Sequence, residues 1–434
     1  MAITKITGAS IAADSIDGTK IADDAINSEH LTDGGIDDVH IGDVAASKLT
    51  GTVADARFPA TLPAKSGANL TNLPAQTLAG LTDTTVSTSD PAITANPSSG
   101  VGHVWFNRTS GESYILSDAT SNNNVWKNIG PGTGDVEPVT YVTATGPDSA
   151  AGVTDGDYKY HIFNATKTGS AGFVVSSAGD ASTSNTVEYL VIAGGGGAQS
   201  FYLNGGGGAG GYRASWNSEA SGGGASSQSA VTPTVGNHSI TVGAGGAGGI
   251  YSVTNSSQGS ASSFTMGAGV STVGGGGGSS HTRAGTTGGS GGGGGGPSTN
   301  QAGLAGTANE GYAGGSAGSG NSNPARGGGG GGAGAVGQTG ANDSGGNGGV
   351  GVASTITGSS VYRAGGGGAG SYDGGGGTGG NGGGGDGSNT NTSADGDAGT
   401  ANTGGGGGGG GDSVDNTGGA GGSGVVILRY KFQN

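Results

Sequence analysis

Residues Val187–Ala193 have the sequence VEYLVIA, and residues Val425–Tyr430 have the sequence VVILRY. Most of the chain's glycine, 109 of 434 residues in all, lies between these two segments in runs separated by short polar stretches. Each framing segment is a short aliphatic and aromatic run, which is typical of a buried β-strand. The pattern therefore predicts two matched strands that close a long glycine-rich excursion.

The glycine-rich excursion has two interpretations. Glycine- and serine-rich chains are usually flexible linkers. Flexible linkers do not usually end in matched strands, however, and apolar pieces at Ser239–Val242, Ser263–Met266 and Ala353–Ile356 interrupt the glycine. Closing a loop of roughly 230 residues opposes strand pairing by only about 5 kcal/mol. We therefore expect the region to be ordered, with the apolar pieces forming the floor of a small sandwich.

Glycine runs can adopt polyproline-II-like helices with about three residues per turn and no internal hydrogen bonds. Their N–H and C=O groups must then bond to neighbouring helices. Only glycine lets two such helices approach closely enough for these hydrogen bonds. The predicted fold class is all-β and irregular. We expect a C-terminal polyglycine-II-type helix bundle, closed by the strand pair.

The polyglycine helices would act as rods, and the loops at their ends would form the exposed, sequence-specific surface. Aromatic and basic residues in these loops are candidates for receptor binding, because Tyr, Trp and Arg dominate recognition sites. The alternative is that some of them only pack over the rods. The candidates are Phe201, Tyr202, Trp216, Tyr251, His281, Arg283, Tyr312, Arg326 and Tyr372.

The N-terminal region has an aliphatic residue at every fifth position. A period of five fits neither a strand nor a helix, and it indicates a repetitive, quasi-one-dimensional structure. One aliphatic residue in five buries too little surface to stabilise a single chain, so three chains around one axis are expected. A single-chain pentapeptide β-helix and disorder are the alternatives. The predicted trimer-axis core is Ile6, Ile11, Ile16, Ile21, Ile26, Leu31, Ile36 and Ile41.

Shifts in composition divide the chain into five regions. We expect a three-stranded meander over Val101–Ile129, strands over Tyr158–Asn164 and Gly172–Val175, and no helix. The regions are a pentad-repeat shaft (1–50), an extended connector (51–76), a small β-meander module (77–134), a β-domain (135–193) and a glycine-rich distal domain (194–434).

Composition argues against several functions. The formal charge of −15 disfavours nucleic acid as a partner, and the lack of cysteine excludes disulfides and thiolate metal sites. Residues 407–415 resemble one calcium-binding nonapeptide, but the tandem copies that a calcium β-roll needs are lacking. His30 and His40 could each form a metal-binding ring on a trimer axis, but we expect both to be solvated. We therefore predict no enzyme activity, no metal and no cofactor.

Several motifs resemble tail-fibre proteins of tailed bacteriophages, particularly marine ones. They are Lys20–Ile26, Lys48–Arg57, Ser66–Pro74, Gly102–Phe106 with Trp126–Gly130, Gly208–Arg213 and Gly421–Tyr430. The resemblance implies a homotrimeric fibre in the virion. Its N-terminus would bind tail or adaptor proteins, and its C-terminus would contact a host receptor, either a glycan or an outer-membrane protein. A polysaccharide-degrading tailspike and a polyglycine-helix ice-binding protein are the alternatives.

Overall fold

A computed structural model describes residues 19, 21, 82–130, 134, 140–181, 184–200, 203–296, 301–318, 326–341, 344–372, 374–389, 394–411 and 415–433. The chain divides into two compact units, Met1–Leu81 and Thr82–Asn434. Thr19 and Ile21 are the described residues of the first unit, and both are exposed. The rest of the predicted pentad shaft, including its other seven axial positions, lies outside the described residues.

The first sheet of the second unit has four strands in the order β1-β2-β3-β4. They are β1 (Thr84–Ser87), β2 (Val104–Asn107), β3 (Ser113–Asp118) and β4 (Val125–Asn128). Strands β2, β3 and β4 form the antiparallel meander that the sequence predicts. Strand β1, which was not predicted, pairs in parallel with β2. Tyr114, Leu116 and Trp126 form the buried core of this sheet.

The central sheet has five strands in the order β10-β9-β17-β7-β6. They are β6 (Val153–Asp155), β7 (Tyr158–Phe163), β9 (Val187–Ile192), β10 (Tyr212–Ala214) and β17 (Val425–Lys431). Strand β17 is antiparallel to both β9 and β7. The two framing segments of the glycine-rich region therefore pair directly, as predicted.

Three smaller sheets contain the remaining strands of the described residues. Two are three-stranded, in the orders β11-β8-β5 and β12-β13-β14, and β15 pairs with β16. The strands are β5 (Val142–Thr145), β8 (Phe173–Ala178), β11 (Gly236–His238), β12 (Ile240–Thr241), β13 (Ser262–Phe264), β14 (Val270–Thr272), β15 (Val352–Ser354) and β16 (Val361–Arg363). The sequence grouped β8 with β7 and β9, but β8 belongs to a separate sheet.

Alternating residues of β9 and β17 separate two hydrophobic cores. Tyr189, Val191 and Leu428 pack in the first core, which also contains Phe173, Ile240 and Phe264. Leu190, Ile192 and Ile427 pack in the second core with Tyr212 and Ile356. The apolar pieces of the glycine-rich region thus contribute to both cores: two of them enter the first, and the piece containing Ile356 enters the second.

Helical structure is minimal in the described residues. It consists of four three-residue 3₁₀ turns, at Pro147–Ser149, Gly169–Ala171, Trp216–Ser218 and Gly222–Gly224. No helix among these residues is long and apolar enough to span a bilayer. The all-β and irregular fold class is therefore confirmed for the described part of the chain.

The glycine-rich segments bond to one another through their backbones. Three successive residues donate to three different segments: Gly194 N–H to Ser260 O at 3.0 Å, Gly195 N–H to Gly422 O at 2.9 Å and Gly196 N–H to Gly208 O at 2.8 Å. Gly197 then donates to Ser257 O at 3.0 Å, returning to the segment that Gly194 contacts. The direction of bonding thus repeats every three residues.

Close backbone contact explains why these segments need glycine. A Cβ atom at Gly195 would lie 2.0 Å from the carbonyl oxygen of Gly405, and one at Gly207 would lie 2.1 Å from that of Gly196. Both distances are far shorter than van der Waals contact. The missing side chain therefore makes room for the neighbouring segment.

Candidate functional site

The glycine-rich segments run back and forth between two ends. At one end they join strands β9, β10 and β17 of the central sheet. At the other, which we call the distal end, segment termini bond to one another: Gly410 N–H donates to Gln199 O at 3.0 Å, and Gly296 N–H donates to Leu203 O at 3.2 Å. These contacts bring together segment termini that are distant in sequence. The described residues that flank the loops include Ser200, Leu203, Gly249, Ser279, Ser371 and Gly411.

Most of the predicted receptor-binding residues belong to the distal loops. Tyr251, His281, Arg283, Arg326 and Tyr372 adjoin the segment termini at this end. Phe201 and Tyr202 fall between Ser200 and Leu203 and lie outside the described residues. Trp216 and Tyr312 lie at the opposite end, beside the central sheet.

Two distal loops line an open, polar groove with a volume of about 510 Å³. We call it the Tyr251–Arg283 groove. It is lined by Tyr251, Ser252, Asn255, Thr282, Arg283 and Ala284. Tyr251 and Arg283 are half-buried, and His281, which adjoins the groove in sequence, is exposed. The structure thus brings two predicted binding residues, Tyr251 and Arg283, to one depression.

The first loop of the groove is a closed turn. Ile250 N–H donates to the carbonyl and to the side-chain oxygen of Thr254, each at 3.1 Å. Ser252 has a left-handed φ of 56°, an uncommon conformation for a residue other than glycine. The turn therefore holds Tyr251 and Ser252 in place through hydrogen bonds made on either side of them.

The second loop is anchored in the glycine-rich segments. Ser279 is 3% exposed, and its hydroxyl donates to Gly293 O at 2.8 Å. Ser280 N–H then donates to Arg283 O at 2.9 Å and closes the turn. The Arg283 guanidinium donates to the side-chain oxygen of Asn255 in the first loop. This contact joins the two loops and orients the guanidinium.

Of the described residues that line the groove, Arg283 is the only charged one. Three lining residues carry hydroxyl groups, and Asn255 carries an amide, so the groove offers both donors and acceptors. Residue type predicts Tyr251 and Arg283 as binding residues, but it does not predict Ser252, Asn255 and Thr282. Their proximity in sequence to the selected residues was the available signal.

Other predicted binding residues make internal contacts. Arg326 is only 5% exposed. Trp216 packs against the Arg429 guanidinium, 4.1 Å from the ring centroid, and its indole N–H donates to Thr355 Oγ1 at 3.0 Å. Neither residue lines the Tyr251–Arg283 groove.

A buried polar array supports the central sheet. His161 is 2% exposed and stacks on Tyr430, with ring centroids 5.8 Å apart. The Tyr430 hydroxyl donates to Ala144 O at 2.9 Å, and its oxygen lies 3.2 Å from His161 Nε2. Burial, with a smaller contribution from the charge of Lys159, lowers the pKa of His161 from 6.5 to about 4. Burial also raises the pKa of Tyr430 to about 12.

Metal sites are not evident in the part of the chain that the structure describes. No group of three or more His, Asp or Glu side chains there could hold an ion. His30, His40 and residues 412–414 of the calcium-like stretch lie outside the described residues.

Residues 174–431, more than half of the chain, match a protein family described as a glycine-rich domain. The match includes strand β9, strand β17 and every described segment between them. No curated protein matches the chain.

Proposed function

The chain belongs to the glycine-rich domain family, and on that premise we propose that it is a homotrimeric tail-fibre protein of a tailed bacteriophage. In this role the N-terminus binds tail or adaptor proteins of the virion. The distal end of the glycine-rich domain binds a receptor on the host surface. The protein acts by attachment and not by catalysis.

The observation that carries this proposal is the grouping of binding-type side chains at the distal end. Tyr251 and Arg283 share one groove there, and His281 and Tyr372 lie in distal loops. Aromatic and arginine side chains supply much of the free energy of protein recognition. Their placement at the end remote from the central sheet favours an attachment surface.

A rigid support for these loops is part of the proposal. We infer that the glycine runs are polyglycine-II-type rods in a bundle. Hydrogen-bond directions that repeat every three residues support this geometry, as do backbone contacts that leave no room for a Cβ atom at Gly195 or Gly207. Loops held by such a scaffold lose little conformational entropy on binding.

Trimer formation is proposed from the five-residue repeat. Three copies of a weak site on one fibre raise the effective concentration of the second and third contacts, so that avidity exceeds the affinity of one groove. A fibre that attaches in this way needs only modest affinity at each distal end.

Cell binding tests the attachment role. The fluorescently labelled full chain would be mixed with a panel of marine bacterial isolates and measured by flow cytometry. We expect binding to a subset of isolates, and loss of binding in the double variant Tyr251→Ala/Arg283→Ala. Tyr362→Ala is the matched control, because Tyr362 is 47% exposed and lies on β16, away from the distal end.

Two results would overturn the attachment role: no binding to any isolate, or equal binding by the double variant. Residence in a virion is tested separately, by mass spectrometry of purified phage particles from a culture whose phage encodes this chain. Absence of its peptides from those particles would refute the tail-fibre assignment.

A further inference from the structure

We propose that the Tyr251–Arg283 groove binds a carboxylated sugar unit of a surface glycan, such as a hexuronic or a sialic acid. The sugar carboxylate would bond to Arg283, and the sugar ring and its hydroxyls would contact Tyr251, Ser252 and Thr282. This inference rests on the proposed attachment function and specifies the chemistry of the receptor.

The size of the groove fits a small saccharide. Its volume of about 510 Å³ lies within the usual range for small-molecule sites, roughly 300–1,000 Å³. The groove is formed by two short turns at the tip of the glycine-rich domain, so a sugar unit at the end or along the side of a polymer can reach it. A protein receptor would instead need a broad, largely apolar patch at the centre of its contact.

The charge of the groove selects an anion. Among the described residues that line it, Arg283 alone is charged. One terminal nitrogen of the guanidinium donates to Asn255, which orients the group. A planar guanidinium held in this way can form the paired hydrogen bonds that a carboxylate accepts.

The remaining lining groups match sugar hydroxyls. Tyr251, Ser252 and Thr282 each have a hydroxyl that can donate and accept, and the Asn255 amide can do both. In this proposal the Tyr251 ring would contact the C–H groups of a pyranose. Because both turns are closed by hydrogen bonds, these groups are arranged before the ligand arrives.

The net charge of the chain restricts the kind of anion. With a formal charge of −15, the protein repels an extended polyanion such as a nucleic acid. A single carboxylate on an otherwise neutral sugar escapes most of this repulsion and still pairs with Arg283. The groove therefore suits isolated acidic sugar units.

Saturation-transfer NMR on the full chain tests the proposal. The probes are the methyl glycosides of glucuronic acid, galacturonic acid and N-acetylneuraminic acid, each beside a neutral control: methyl glucoside, methyl galactoside or the methyl ester of the N-acetylneuraminic acid glycoside. We expect at least one acid to bind about tenfold more tightly than its control, the effect of roughly 1.4 kcal/mol of paired hydrogen bonding. Binding of that acid should weaken as salt is raised.

Variants assign the carboxylate contact. Arg283→Gln should reduce binding of the acid to the level of its neutral control, and Arg283→Lys should retain only part of the preference. Thr282→Val keeps the charge and should weaken the acid and its control equally. Tyr362→Ala serves again as the control that leaves binding unchanged.

Equal binding of acids and their controls by the wild-type chain, or an unchanged preference in Arg283→Gln, would overturn the proposal. So would the absence of binding by all three acids. If cells are still bound through Arg283 in that case, the receptor group is not one of these acidic sugars and the attachment function stands. If no cell is bound either, the attachment function itself fails.

Discussion

Gly195→Ala should destabilise the glycine-rich domain far more than an alanine normally would. The new Cβ atom would lie 2.0 Å from Gly405 O and 2.5 Å from the carbonyl carbon of the same residue. Ordinary contact begins near 3.4 Å, so the two segments must separate by about 1.4 Å. Gly405 O also accepts the Gly422 N–H at 2.8 Å, and this hydrogen bond would be strained by the shift.

The magnitude follows from three contributions. Overpacking in a rigid interior destabilises by about 1–3 kcal/mol, and backbone atoms cannot relax as a side chain does. Loss of the buried hydrogen bond adds about 1 kcal/mol. Alanine restricts the unfolded chain more than glycine does, and this offsets about 0.4–1 kcal/mol of the destabilisation. The free energy of unfolding should therefore fall by about 3 kcal/mol.

Gly375→Ala is the matched control. A Cβ atom at Gly375 would meet no atom within 4 Å, and the residue is exposed. The same substitution should therefore be neutral there or stabilise by up to about 1 kcal/mol. The Gly195 variant is therefore expected to be less stable than the Gly375 variant by about 3–4 kcal/mol.

Differential scanning calorimetry of the full chain measures both variants. With an unfolding entropy of about 2.1 cal/mol/K per residue, a unit of roughly 350 residues should lose about 4 °C in Tm for a 3 kcal/mol change. Equal Tm values for the Gly195 and Gly375 variants would refute the close-packing explanation.

Three further predictions concern the central sheet and the assembly. The pKa of His161 is about 4 in the folded chain and 6.5 in the unfolded chain, so the unfolded state binds more protons between these pH values. Lowering the pH from 6.5 to 4 should therefore reduce the free energy of unfolding by about 3 kcal/mol. His161→Phe should remove that slope in urea titrations, and a persistent slope would assign it to other groups. In the same titrations, Arg429→Lys should lower the free energy of unfolding by about 2 kcal/mol, because Arg429 is 4% exposed and bonds Asp155 at 2.8 Å. Lys167→Met should change it by less than about 1 kcal/mol, because Lys167 pairs with a largely exposed carboxylate. A larger effect of the Lys167 variant would contradict this prediction. Light scattering after size exclusion should give three times the 40.3 kDa chain mass, and a monomer would refute the pentad-repeat trimer.

The strand pair was predictable because its signal is local. Val187–Ala193 and Val425–Tyr430 are strongly apolar, and each is bounded by glycine or polar residues. Strand β1, by contrast, has the sequence TTVS and pairs in parallel with a strand some 20 residues later. A local pattern therefore predicts neither that these residues form a strand nor which strand they pair with.

The groove was predictable only in part for a related reason. Residue type alone indicated Tyr251 and Arg283, since these residues stand out in a glycine-rich background. Which loops meet depends on the order in which the glycine segments pack, and glycine runs are too alike to encode that order locally. The burial of Arg326 was missed for the same reason.

The position of β17 has a consequence for biosynthesis. This strand lies between β7 and β9, which precede it by more than 200 residues, so neither has its central neighbour until residue 431 has left the ribosome. At about 5–20 residues per second, the nascent chain would wait roughly 10–50 s with two sheet edges unpaired. Translation that stops before Val425 would remove the middle of the sheet. Premature termination should therefore yield incomplete polypeptides that chaperones bind and proteases degrade. Only complete translation should give a distal end that can bind its receptor.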